Sequence, residues 1–202
     1  MTKVVQNKII GIYGLPWQGK TFFATYLASQ YKIIYSNVEI MKWVVDINEN
    51  LITNIKVNND IKTILDVEKI EYNDTKGIVV LDESGLNINS RRSASEDNME
   101  YARIGMLWRK KNVDILIIAQ LEFSVDKYFR ELSSYTVEMK SYFDNGKIMF
   151  EVTAKNRFGT IISVQNVDLV KWAEKEKYSY NSLESSEIKK KTKKKESEVV
   201  AW

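Results

Sequence analysis

Residues Gly14-Leu15-Pro16-Trp17-Gln18-Gly19-Lys20-Thr21 read G-x-x-x-x-G-K-T. In that pattern a glycine-permitted loop turns its backbone amides onto a phosphate chain, and the helix that follows adds the positive end of its dipole. Lys20 is then the cation for the outer phosphate oxygens, the Thr21 hydroxyl is a ligand for Mg²⁺, and Gly14 to Phe22 make up the nucleotide-binding segment. A second set is Ile78-Val79-Val80-Leu81-Asp82-Glu83, four apolar residues ending in two acids. Asp82 is suited to reach the Mg²⁺ through water. Glu83 is suited to polarise an attacking water as general base. Gln120 forms a third, directly after the apolar run Ile115 to Ala119; a polar residue there senses nucleotide state or orients water, provided its strand lies beside the one leading into Gly14. An acid pair of this kind suits hydrolysis better than simple binding.

Three chemistries are closed from the start. The chain of 202 residues contains no cysteine and no histidine, so thiol nucleophiles, Ser-His-Asp triads and Cys/His zinc sites are excluded. Hydrophobic residues make up 44% and charged residues 28%, an ordinary globular balance. No apolar run approaches the roughly 18 residues of a membrane span, and Met1 to Gln6 do not read as a signal peptide. The expectation is a soluble intracellular protein. The formal net charge is +3, most of it in residues 184–202, so any nucleic-acid contact must come from local patches and the tail.

The elements needed to hold these residues are legible. Lys8 to Tyr13 is a short β-branched run ending on glycine, a buried strand. A helix follows over Lys20 to Gln30, with Phe22, Phe23, Tyr26 and Leu27 on one face. Ile33 to Tyr35, Gly77 to Leu81 and Asp114 to Ala119 are further core strands, and Glu96 to Lys111 has helical spacing. Val38 to Asp74, broken by asparagine-rich gaps, is ambiguous. Strands alternating with helices imply an α/β fold with a mainly parallel sheet covered on both faces. Tyr135 to Tyr142, Lys147 to Ala154 and Thr160 to Val164 alternate, with Asp144-Asn145-Gly146 as a hairpin turn, and predict an antiparallel C-terminal extension. Asp168 to Lys175 is a last short helix. Residues 1–183 form one domain on this reading. Residues 184–202 are a basic, unfolded tail, whose Lys189 to Lys195 block either contacts DNA phosphate or only solubilises, and whose Val199 to Trp202 end is a docking candidate.

The order and spacing of Gly14 to Thr21, Ile78 to Glu83 and Ile115 to Gln120 resemble the FtsK–HerA superfamily of DNA-pumping ATPases. The viral genome-packaging ATPases and the zonula-occludens-toxin-like assembly ATPases of filamentous phages are the nearer likeness. Trp108-Arg109-Lys110-Lys111 leading into a strand that stops at Gln120, and Asp126 to Leu132 with Arg130 after it, are similar to that family's segments. The resemblance spans about Lys8 to Val164. It implies a RecA-like (ASCE) phosphate-loop NTPase that binds ATP and Mg²⁺ and assembles as a homo-oligomeric ring, a hexamer, to translocate double-stranded DNA into a capsid. It further implies a capsid or membrane component of a virion as partner, host-cytoplasmic or virion-associated localisation, and an arginine finger donated by a neighbouring subunit. Candidates for that finger are Arg91, Arg92, Arg103, Arg109 and Arg130; Arg91 and Arg92 lie in a Ser/Asn-rich loop. Without a membrane anchor the chain favours the packaging ATPases over the phage assembly type, which stays the alternative together with a small-molecule kinase. A nucleotide switch of the GTPase kind lacks its Asn-Lys-x-Asp segment. Pro16-Trp17 is unusual inside such a loop; Trp17 is placed to stack on a base or on a neighbouring subunit.

Overall fold

A computed structural model describes residues 7–45, 48, 51–83, 104, 107–125 and 127–181. Its main sheet has eight strands in the order β10-β9-β8-β1-β7-β6-β2-β5. They are β1 (Ile9–Tyr13), β2 (Ile33–Ser36), β5 (Asn59–Asp60), β6 (Gly77–Leu81), β7 (Val113–Ala119), β8 (Tyr135–Asp144), β9 (Lys147–Asn156) and β10 (Ile161–Val167). From β8 across to β5 every pairing is parallel; β9 and β10 add on antiparallel. The extension is therefore joined through a strand, β8, that itself runs parallel to β1.

Composition explains which strands sit in the middle. All seven residues of β7 and all five of β6 are buried, as expected of β-branched runs covered on both faces. Two apolar clusters lie on opposite faces of this sheet. One packs Ile9, Tyr13, Leu81, Ile115 and Ile117 against Ile64, Trp108 and Phe129; the other packs Ile12, Val80, Leu116 and Ile118 against Phe23, Ala24 and Leu169. Each fully buried Ile or Leu contributes about 1.5–3 kcal/mol. Tyr13 folds back along β1 over Gly11, where a Cβ would stand 2.3 Å from its hydroxyl oxygen; glycine makes room for the ring.

Helix α1 (Lys20–Ala28) follows the first loop, and α2 (Lys127–Leu132) follows β7. A further helix, α3 (Leu169–Glu176), is capped by Asp168, whose Oδ1 accepts the Lys171 N–H at 2.8 Å. The turn between β8 and β9 has Asn145 at φ 48° and Gly146 at φ 77°, the double left-handed turn that the Asn-Gly pair predicts. The ambiguous stretch after Val38 becomes β3 (Glu39–Val45) and β4 (Leu51–Lys56), which pair antiparallel and then lead to β5 and a 3₁₀ turn, Ile64–Lys69. A last strand, β11 (Tyr178–Asn181), joins β3 to complete a small sheet, β11-β3-β4, seated on α1. The predicted helix over Glu96 to Lys111 lies mostly outside the described residues; Ile104 and Leu107 are helical, and Trp108–Lys110 is a 3₁₀ turn. The tail, residues 184–202, is also outside them.

Candidate nucleotide-binding site

The parallel order puts the carboxyl ends of β1, β7 and β6 side by side, and the singled-out residues sit there. Gly14 leaves β1, and Gly19, at φ 77°, turns the chain into α1. Both glycines are required by close approach. A Cβ at Gly14 would lie 2.7 Å from the Met139 carbonyl oxygen, and one at Gly19 would lie 2.3 Å from Phe150 Cε1. No side chain caps α1 and no acid lies in its first turn, so its positive end is left for an anion. Gln18 Oε1 accepts the Ser141 N–H at 2.5 Å, fastening the loop to β8.

Lys20 Nζ donates to the Leu15 carbonyl at 2.8 Å, so it spans the loop it is expected to serve. Burial pulls its pKa below the ordinary lysine value, and the charges of Asp82 and Glu83 oppose that shift. Thr21 Oγ1 donates to Asp82 Oδ2 at 2.5 Å. That contact brings together a hydroxyl and a carboxylate, the oxygen donors Mg²⁺ prefers. Among the described residues no three His, Cys, Asp or Glu side chains cluster as a metal cage. An ion completed by phosphate oxygens and water fits this donor set. Glu83 follows, exposed, with φ 53°, its N–H donating to Asp82 Oδ1 at 2.8 Å.

Gln120 meets the condition set for it. β7 pairs with β1 so that Ala119 is opposite Tyr13, placing Gln120 level with Gly14 and exposed beside the loop. The arginines do not converge in the same way. Arg91, Arg92 and Arg103 lie outside the described residues. Arg109 is exposed on the 3₁₀ turn before β7, at the sheet's other end. Arg130 is half-buried on α2, its Nε buried without a hydrogen-bond partner. Burial raises the Tyr13 hydroxyl well above the usual phenol range; the Glu122 charge adds to that rise and the Arg130 charge opposes it.

Two contributors escaped the sequence reading. Asn37, just past β2, clamps the backbone of Asp82: its Nδ2 donates to the Asp82 carbonyl at 2.9 Å, and its Oδ1 accepts the Asp82 N–H at 2.8 Å. An asparagine after a strand carries no signal of that role. Tyr180 on β11 rests 5.8 Å from the Phe22 ring. Burial, and next the charge of Asp82, raise its pKa; it reaches the site from a distant part of the sequence.

No protein-family model matches the sequence, and no curated protein matches it. Solved structures do. A solved ATPase domain superposes with a TM-score of 0.52 at 11% identity, covering 88% of this chain and 85% of that one. This is the RecA-like ATPase fold. The chain is also similar in structure to the N-terminal domain of zonular occludens toxin from Neisseria meningitidis, with TM-score 0.49 and 16% identity over 89% of this chain and 96% of that one. Another similar structure is the genome-packaging NTPase B204 from Sulfolobus turreted icosahedral virus 2, in complex with ATP-gammaS, with TM-score 0.49 and 9% identity over 79% and 96%. Among the described residues no helix is long and apolar enough to cross a membrane.

Proposed function

We propose that this chain hydrolyses ATP with Mg²⁺ and couples hydrolysis to translocation of double-stranded DNA, as the loading motor of a viral genome. The observation that carries the hydrolytic part is the Thr21–Asp82 contact at the end of β6, with Lys20, Glu83 and Gln120 around it. Residues 14–22 bind the phosphates through loop amides and the open end of α1. Lys20 spreads its charge over the outer phosphate oxygens, and contact with those oxygens offsets the burial that lowers its pKa. Thr21 and Asp82 would hold Mg²⁺, which supplies charge neutralisation across the transferred phosphoryl group. Glu83 accepts a proton from the attacking water, and Gln120 orients that water from β7.

The DNA-moving part rests on the resemblance of the three motifs, in order and spacing, to the FtsK–HerA ATPases. On this reading residues 1–183 are the motor domain and residues 184–202 a basic tail available to DNA. The protein works as a homo-oligomeric ring, a hexamer, with a virion component as docking partner, in the host cytoplasm or on the virion. One of Arg91, Arg92 and Arg130 serves a neighbour's site.

The test is ATP hydrolysis with and without double-stranded DNA, for the unaltered chain beside Lys20→Ala and Glu83→Gln. Weak basal turnover that DNA stimulates, and that both variants lose, is the expected result. Turnover indifferent to DNA, with Glu83→Gln still active, overturns the translocase and returns the kinase reading.

A further inference from the structure

Trp17 is the largest side chain of the phosphate loop, and the fold makes no use of it. It is 96% exposed on a backbone at φ 66°, a left-handed conformation that bulky residues adopt only against a steric penalty. Its backbone is fixed nonetheless. The Trp17 carbonyl accepts from Ser141 Oγ at 3.4 Å, while Gln18 holds the N–H of the same serine. Two residues along β8, on the same face as Ser141 by the alternation of a strand, comes Phe143, which is 79% exposed and paired with half-exposed Ile148. The loop backbone at Trp17 and the exposed Phe143 ring are therefore both set at the end of β8 around Ser141.

The direction of the site says what this end of β8 takes. Asp82, Glu83 and Gln120, the groups for metal and terminal phosphate, stand at the ends of β6 and β7, on one side of β1. β8 and β9 are on the other. A nucleotide with its terminal phosphate at Asp82 runs back across the loop and carries its nucleoside toward β8 and Trp17. Phe22, Phe150, Trp172 and Tyr180 are engaged with one another, Phe22 lying 5.8–6.3 Å from the other three in edge-on or tilted contact. Among the described residues no ring or cation stacks on Trp17, which is almost wholly exposed.

We propose that Trp17 and Phe143 are the nucleobase subsite of this chain, the indole stacking on the base and Phe143 forming the second apolar wall. The proposal rests on the ATP-binding reading above and adds to it how the base is held. Stacking of this kind is tolerant of base identity because every base offers a π-face, so ATP and GTP bind with similar affinity.

Calorimetric binding of ATP and of inorganic tripolyphosphate, both with Mg²⁺, to the full chain separates base from phosphate. Trp17→Ala is expected to weaken ATP binding about tenfold or more and leave tripolyphosphate within about twofold. Trp17→Phe keeps most of the ATP affinity, and Phe143→Ala shifts it in the same direction by less. Since the Trp17 side chain is almost wholly in solvent, unchanged thermal unfolding of Trp17→Ala serves as the folding control. Equal weakening of both ligands makes Trp17 a loop-shaping residue and overturns the subsite, as does a Trp17→Ala chain with full ATP affinity. An unaltered chain that binds neither ligand overturns the phosphate site itself, and the subsite with it.

Discussion

Replacing Gly19 by alanine tests the steric argument that ties the phosphate loop to the C-terminal extension. Two penalties add. The residue is held at φ 77°, which costs an L-residue with a Cβ about 1–2 kcal/mol. The new methyl would also stand 2.3 Å from Phe150 Cε1, and Phe150 is buried in the cluster that contains Phe23 and Val152, so the ring must move against a filled layer at about 1–3 kcal/mol. The expected loss is roughly 2–5 kcal/mol, read in urea unfolding as a fall in midpoint of about 1 M or more. Phe150→Leu removes the ring edge that the methyl meets. In that background Gly19→Ala is expected to cost only the backbone part, about 1–2 kcal/mol, so a double-mutant cycle shows coupling of at least about 1 kcal/mol. An alanine that costs the same with Phe or Leu at 150, or under about 1 kcal/mol with Phe, refutes the reasoning.

Asn37→Ala frees the Asp82 backbone from both of its clamps; Mg²⁺-dependent ATP hydrolysis should fall about 10–100-fold, while nucleotide binding without metal changes little. Asp114→Asn disturbs the opposite end of β7. There the buried carboxylate accepts the Lys8 N–H at 2.7 Å and the Tyr31 hydroxyl at 2.6 Å, and pairs with Lys76 at 2.8 Å, so thermal unfolding should report a loss of about 3 kcal/mol with ATP affinity unaltered. The Lys69 ammonium, and next the Lys62 and Thr63 amides, hold the Asp66 carboxyl near 2, below its ordinary 3.8. The unfolded chain then binds the proton more readily, so this contribution is present above about pH 4 and is lost as pH falls toward 2. Because Lys69 lies in solvent the contribution is about 1 kcal/mol or less, and acid unfolding of Asp66→Asn lacks that component.

What could be read in the sequence followed from chemistry with a fixed address. The G-x-x-x-x-G-K-T spacing and the β-branched runs ending at Tyr13, Leu81 and Ala119 each sit in one contiguous stretch, and parallel pairing of buried strands brought their ends together as expected. The Asn145-Gly146 turn was legible for the same local reason. β4 was not, because each of its six residues is exposed and its side-chain pattern carries no burial signal. β11 escaped because its order comes from β3, with Tyr180 opposite Ile40, and from the aromatic ring of Phe22, partners that no local window contains. The Asn37 clamp and the Gln18–Ser141 bond are likewise tertiary contacts between unremarkable residue types. For the arginines, type and neighbourhood gave several candidates; the described residues separate Arg109, at the far end of the sheet, from Arg130 beside Tyr13.

The central place of β1 has a consequence for how the chain must be made. Ile9–Tyr13 lies between β7 and β8, so its first partner in sequence begins at Val113 and its other at Tyr135. During synthesis at about 5–20 residues per second, the apolar segment that leads to the phosphate loop waits some seconds for both neighbours to leave the ribosome. High contact order of this kind slows folding and leaves a sticky strand open to other chains. Fragments ending before β8 should accordingly aggregate, and newly made chains should engage holdase chaperones through Ile9–Tyr13 until β8 has emerged.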